Sequence, residues 1–99
     1  MTNLAEIRKK LASEKDHLQK EFGVEVVGIF GFYVRSEQKP SSDIDILVDL
    51  ERPTRISLIG LIELEEYLSE VLGIKADIVL RGNLRKRIGK RILDEVIPV

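Results

Sequence analysis

No cysteine and no tryptophan occur in the 99-residue chain, and methionine occurs once. Without cysteine there are no disulfides and no thiolate metal sites, and nothing points to an oxidising compartment. Aromatic residues are scarce, at 5%, and proline occurs three times. Neither charge sign dominates. Sixteen Lys and Arg against 17 Asp and Glu leave a net charge of −1, which gives no overall pull toward nucleic acid or an acidic membrane. Any basic surface must be local. Long apolar runs are missing too: none approaches the ~20 residues that span a bilayer. Residues 1–20 lack the apolar core of a signal peptide. The expectation is a cytoplasmic protein with no membrane partner.

The chain does have enough to fold. Apolar residues make up 43% and charged residues 33%, which suits one compact domain over residues 1–99 with a modest core. Asn3 with Glu6 three residues later forms a capping-box pattern, and Leu4, Ile7, Leu11, Leu18 and Phe22 follow as a helical stripe up to Gly23. Residues 24–30 are rich in β-branched residues and read as a strand. A turn or short helix spans residues 32–38, and Lys39-Pro40-Ser41-Ser42 lies in a loop. A second strand begins at Asp43-Ile44-Asp45-Ile46 and breaks at Arg52-Pro53. An amphipathic helix is predicted from about residue 55 to Leu72, with Leu58, Leu61, Leu64, Leu68 and Val71 inward. A third strand covers residues 75–80. Asn83 is placed to cap a last helix with Leu84, Ile88, Leu93 and Val96 inward. The order α-β-turn-β-α-β-α predicts an α/β (α+β) fold with a sheet covered on at least one face.

Asp43 and Asp45 carry the first chemical signal. Strand side chains alternate, so the two carboxylates share a face while Ile44 and Ile46 point to the core. Paired like charges repel, and a hard divalent cation such as Mg²⁺ relieves that repulsion. Taken alone, the pair is more often two solvated acids at the start of a strand. Asp77 adds a third acid inside a strand-like run, where Asp is disfavoured. If its strand lies beside the second, three carboxylates can meet, an arrangement suited to phosphoryl or nucleotidyl transfer. Alone it reads as an edge-strand acid. Gly31, at a strand-to-helix turn, allows backbone to approach a phosphate, and Arg35 can add a charge-assisted contact.

Two other features carry less information. His17 reads as a surface residue of a charged helix. Arg81, Arg85, Lys86, Arg87, Lys90 and Arg91 form a basic run, read either as a solvated helix face or as a contact surface for an acidic partner or RNA. Tyr33 and Tyr67 fit a core or an interface equally well.

The span Gly31-Phe32-Tyr33-Val34-Arg35-Ser36, then Ser42-Asp43-Ile44-Asp45-Ile46-Leu47-Val48, resembles the signature of the DNA polymerase β-like nucleotidyltransferases. More narrowly it resembles the minimal nucleotidyltransferases, the MntA-like antitoxins that pair with HEPN-domain toxins. The resemblance covers nearly the whole chain. It implies a nucleotidyltransferase fold, a small mixed β-sheet with helices packed on it. By the same resemblance Asp43, Asp45 and Asp77 hold Mg²⁺ and serve catalysis, and Gly31, Phe32, Arg35 and Ser42 occupy nucleotide-binding positions. The implied donor is ATP and the implied reaction moves AMP to a hydroxyl, with pyrophosphate leaving. The implied acceptor is a tyrosine of a HEPN toxin, in a type VII toxin–antitoxin pair. The acceptor surface is expected from that partner or from a second copy in a homo-oligomer, and nucleic acid is not the expected partner.

Two positions depart from the signature. Phe32 stands where the family has serine, and Ser36 where it has glycine. Loss of one positioned donor to a charged phosphate costs ~1–3 kcal/mol, which predicts a slower enzyme. The alternative implied by those departures is an antitoxin that neutralises its partner by binding alone.

Overall fold

A computed structural model describes residues 3–31, 33–35, 43–84 and 86–99, with residues 86–88 described for the backbone only. Helix α1 (Leu4–Phe22) starts as its sequence dictates: Asn3 is extended, and its side-chain oxygen accepts the Glu6 N–H at 2.9 Å. The helix ends at left-handed Gly23. Ile7, Leu11 and Leu18 are fully buried, and Leu4 and Phe22 pack at the margin of the core.

The strands β1 (Val24–Phe30) and β2 (Ile44–Leu50) pair antiparallel, and β3 (Ala76–Leu80) joins β2 in parallel. A short β4 (Ile97–Pro98) pairs antiparallel with β1, so the strand order is β3-β2-β1-β4. Helices α1 and α2 (Leu58–Leu72) lie side by side over one face of this mixed sheet. Val24, Val26, Ile29, Ile44, Ile46 and Val48 meet them there, with Leu64, Leu68 and Leu72 from α2. Among the described residues no helix is long and apolar enough to cross a membrane.

A bulge in β1 decides which residues face the helices. The pairing with β2 shifts between Val26 and Gly28, so Val27 is the extra residue. Val26 lies opposite Val48 on the core side, whereas beyond the bulge Ile29 lies opposite Ile46. Gly28 and Phe30 are thereby left on the other face, opposite Leu47 and Asp45.

Three expectations about the helices are corrected. Helix α2 begins at Leu58, after Ser57, whose hydroxyl accepts the Gly60 N–H at 3.1 Å. Arg55, expected in the helix, instead reaches back to α1. Its guanidinium donates to the Gln19 and Lys20 carbonyls at 2.5 and 2.8 Å in the last turn of α1, where carbonyls lack the full set of helical partners. Leu58 is therefore in the first turn, which no described element covers, and it is 81% exposed rather than inward.

The C-terminal segment differs as well. Asn83 lies in a single 3₁₀ turn (Arg81–Asn83), and α3 (Lys86–Glu95) begins beyond it. Leu93 is 42% exposed, and Val96 comes after the helix, leading into β4. Close packing of β4 on β1 needs Gly28: a Cβ there would run into the Ile97 carbonyl oxygen.

The outer edge of β3 is covered by side chains of α2. Ser69 Oγ accepts the Ala76 N–H at 2.8 Å, and Glu65 Oε2 accepts the Ile78 N–H at 3.2 Å. Two successive outward N–H groups thus find acceptors without another strand. Glu65→Ala should cost about 1–2 kcal/mol, read from urea unfolding, and should increase aggregation through the opened edge. Glu65→Gln keeps an acceptor oxygen, and equal loss in both variants would contradict this role.

Candidate active site

The face of the sheet opposite α1 and α2 carries the acids. Ile44 and Ile46 are fully buried against the helices, so alternation along β2 turns Asp45 to the other side. In the parallel ladder Asp45 is the register partner of Asp77, as Ile46 is of Ile78. Asp77 is exposed, while Asp45 and Asp43, the residue just before β2, are half-buried. Because β3 lies beside β2, the condition set for Asp77, the strands bring Asp45 and Asp77 together, and Asp43 stands at the entrance to the same strand. Among the described residues no three acidic side chains converge closely enough to hold an ion as they stand.

Gly31 closes the other side of Asp45. It follows Phe30, the register partner of Asp45, and has φ +86. A Cβ at Gly31 would fall on Asp45 Oδ2, so the carboxylate lies against bare backbone. The turn is held by the Gly31 carbonyl, which accepts the Val34 and Arg35 N–H groups at 3.1 and 3.2 Å. Tyr33 is 9% exposed and joins the core, which settles its role.

Arg35 is exposed but tied down. Its Nη1 donates to Glu95 Oε1 at 2.5 Å, tying the turn to the end of α3. Phe30, Gly31, Arg35, Asp45, Arg91 and Glu95 line a pocket of about 240 Å³. Arg91 and Glu95 were not singled out as site residues in the sequence. Arg91 was one member of a basic run, and no local pattern links Glu95 to an arginine 60 residues away. Phe32, Ser36, Ser42 and Arg85 lie outside the described residues.

The electrostatics single out Asp45. Its pKa is pushed up to about 6, first by burial and then by the Asp77 and Asp43 carboxylates, with Glu95 adding to the rise and Arg35 opposing it. An anion here is short of positive charge. Oxygen ligands suit a hard divalent cation, whose charge would reverse that deficit, so the residues present fit Mg²⁺. His17 is not part of this site. It is exposed on α1 as expected, with its ring 5.2 Å from that of Tyr67. Tyr67 is half-buried between α1 and α2 and donates its hydroxyl to Glu14 at 2.6 Å.

Known proteins share both the sequence and this architecture. A family model described as a nucleotidyltransferase domain matches residues 5–99. Protein adenylyltransferase MntA of Thermococcus cleftensis is 46% identical over 99 residues, covering 100% of this chain and 98% of that protein. A candidate protein adenylyltransferase of Methanocaldococcus jannaschii is 44% identical over 95 residues, covering 96% and 95% of the two chains. The solved structure of a candidate minimal nucleotidyltransferase superposes with a TM-score of 0.71 at 30% identity, covering 92% of this chain and 94% of that one. A toxin–antitoxin crystal structure with AMP-PNP shares the fold at 20% identity, with a TM-score of 0.70 over 92% of this chain and 70% of that one. On the family model and on identity over almost full length, the chain belongs to the nucleotidyltransferase domain family as one of its minimal members, and is a nucleotidyltransferase.

Proposed function

We propose that this chain transfers AMP from Mg-ATP to a tyrosine hydroxyl of a HEPN-family toxin and acts in the cytoplasm as the antitoxin of that pair. The observation that carries the reading is the register pairing of Asp45 with Asp77 beside the bare Gly31 backbone. The identity to a protein adenylyltransferase supports protein as the acceptor class. The toxin–antitoxin assembly with AMP-PNP supports the fold alone. A HEPN toxin is chosen from the signature around Asp43 and Asp45.

In this reading Asp43, Asp45 and Asp77 hold Mg²⁺, which when bound neutralises charge on the triphosphate and the leaving group. The acceptor oxygen attacks the α-phosphorus, a new P–O bond forms, the bond to the β-phosphate oxygen breaks, and pyrophosphate leaves with the electron pair. Asp77, the more exposed acid, accepts the hydroxyl proton. The Gly31 turn approaches the phosphates by backbone. Arg35, held by Glu95 at 2.5 Å, turns to the triphosphate by exchanging one anionic partner for another.

Incubation with α-labelled ATP, Mg²⁺ and the partner toxin tests this directly. The expected result is one labelled tyrosine and loss of toxicity, both abolished by Asp43→Asn with Asp45→Asn. Neutralisation by that double variant at unchanged strength would favour the binding-only antitoxin that Phe32 and Ser36 made the alternative.

A further inference from the structure

Two cavities meet beside Asp45, and the residues named so far for the transfer reaction account for only part of their walls. The pocket of about 240 Å³ reaches from Asp45 and Gly31 to Arg91 and Glu95 on α3. A second cleft of about 420 Å³ is lined by Arg35, Arg91, Asp94 and Glu95. Arg35, Arg91 and Glu95 line both, whereas Asp45 lines only the first. The cleft therefore continues the pocket on the side away from Asp45.

Position on α3 selects Arg91. Lys90, the residue before it, is exposed and lines neither cavity. Arg91 and Glu95 are one turn apart on the same face of the helix. An acid following a base at this spacing is the weaker order for a pair within a helix. Glu95 is bound instead to Arg35 of the Gly31 turn, at 2.5 Å. Among the described residues Arg91 makes no ion pair and no hydrogen bond. An ordinary surface arginine is also unpaired, but it does not line the cavity that holds the reacting acid.

The charges on these walls define what fits between them. Asp45, Asp94 and Glu95 outnumber Arg35 and Arg91. Glu95 already neutralises Arg35, so Arg91 is the uncommitted cation among the described lining residues. A base and a ribose are neutral and gain little from a guanidinium. Phosphate gains most, because the planar fork donates two parallel hydrogen bonds to its oxygens. In the proposed reaction the α-phosphate sits at the acids, and the phosphates beyond it need countercharge where the pocket runs on to α3.

Resting on that reaction, we propose that Arg91 binds the β- and γ-phosphates of ATP and holds the pyrophosphate as it leaves. Its guanidinium meets the negative charge that grows on the leaving group while the bond from the α-phosphorus to the bridging oxygen breaks. Arg91 moves no proton and holds no metal. It can bind phosphate without giving up a partner, whereas Arg35 must first leave Glu95.

The test is calorimetric titration of the full chain, with Mg²⁺, by ATP carrying a methylene bridge between its α- and β-phosphates. This probe binds as a triphosphate and cannot transfer AMP, so the readout is affinity and not turnover. Arg91→Gln should weaken binding about tenfold or more, and pyrophosphate should displace the probe from it less effectively than from wild type. Arg91→Lys keeps the charge but not the fork and should recover part of the loss. Lys90→Gln removes the same charge from the neighbouring residue and should bind like wild type. Arg91 is exposed, so Tm should be the same in all four proteins. Unchanged binding by Arg91→Gln, or equal losses in Arg91→Gln and Lys90→Gln, would overturn the proposal. So would a loss of probe affinity with undiminished competition by pyrophosphate, which would place Arg91 on the nucleoside. A wild-type chain that does not bind the probe would instead overturn the nucleotide site itself, and this assignment with it.

Discussion

Asp45→Asn is expected to lower AMP transfer by about 10³-fold while making the metal-free protein more stable. The loss follows from removing an anionic oxygen from the proposed cation site, where several kcal/mol of charge stabilisation act on the reacting phosphoryl group. The gain follows from the state of Asp45 in the fold. Its pKa is raised from 3.8 to about 6 by burial and by Asp77 and Asp43, so folding disfavours the charged form. Between those two values the native state holds more protons than the unfolded chain, and stability falls as pH rises. The contribution is complete below about pH 4 and is lost as pH passes 6. For a half-exposed carboxyl in screening solvent, the cost at pH 7 comes to about 1 kcal/mol. Thermal unfolding in EDTA should therefore show a higher Tm for Asp45→Asn than for wild type at pH 7, with the two converging toward pH 4. A variant less stable than wild type at pH 7 would contradict the charge deficit assigned to the site. Full transfer activity would remove Asp45 from it.

A second large effect is expected at Gly31, which carries no functional group. Gly31→Ala places a methyl group where Asp45 Oδ2 lies and demands φ near +86, which costs ~1–2 kcal/mol for an L-residue. The carboxylate must move, and a displacement on the order of 1 Å is enough to lower transfer about 10²-fold. Core packing is on the opposite face and should hold. The expected outcome is a folded protein with near-native far-UV circular dichroism, Tm lowered by a few degrees and transfer lowered about a hundredfold. Wild-type kcat/KM in Gly31→Ala would show that the contact with Asp45 is dispensable.

Local signals in the sequence carried much of the fold. Asn3 and Gly23 mark helix ends through their own side-chain and backbone chemistry, and α1 begins and ends there. Alternation along β2 placed Ile44 and Ile46 inward and Asp45 outward without knowledge of the neighbouring strands. The pairing of Asp45 with Asp77 depended on strand order, and a parallel crossover through α2 made adjacency reasonable but not obligatory. β4 was invisible because two residues, one of them proline, form no periodic pattern; its position depends on the space left by Gly28. Leu58 fits the apolar stripe of α2 by spacing, yet spacing does not tell that nothing covers the first turn. Glu95 is the clearest case on the site itself: its link to Arg35 exists only once the chain has crossed the sheet.

Val27 shows how little separates packing from chemistry here. Counted in twos, β1 changes phase at this one residue: before it Val24 and Val26 face the helices, and after it the inward position passes to Ile29. A strand that kept its phase would send Phe30 toward the helices and Ile29 toward the acids. The turn at Gly31 would then leave the sheet on the side where no carboxylate waits. The extra residue is a splice between two patterns, one written for burial against the helices and one for the face that carries the proposed site. Each half of β1 can vary under its own constraint, provided that the count between them is preserved.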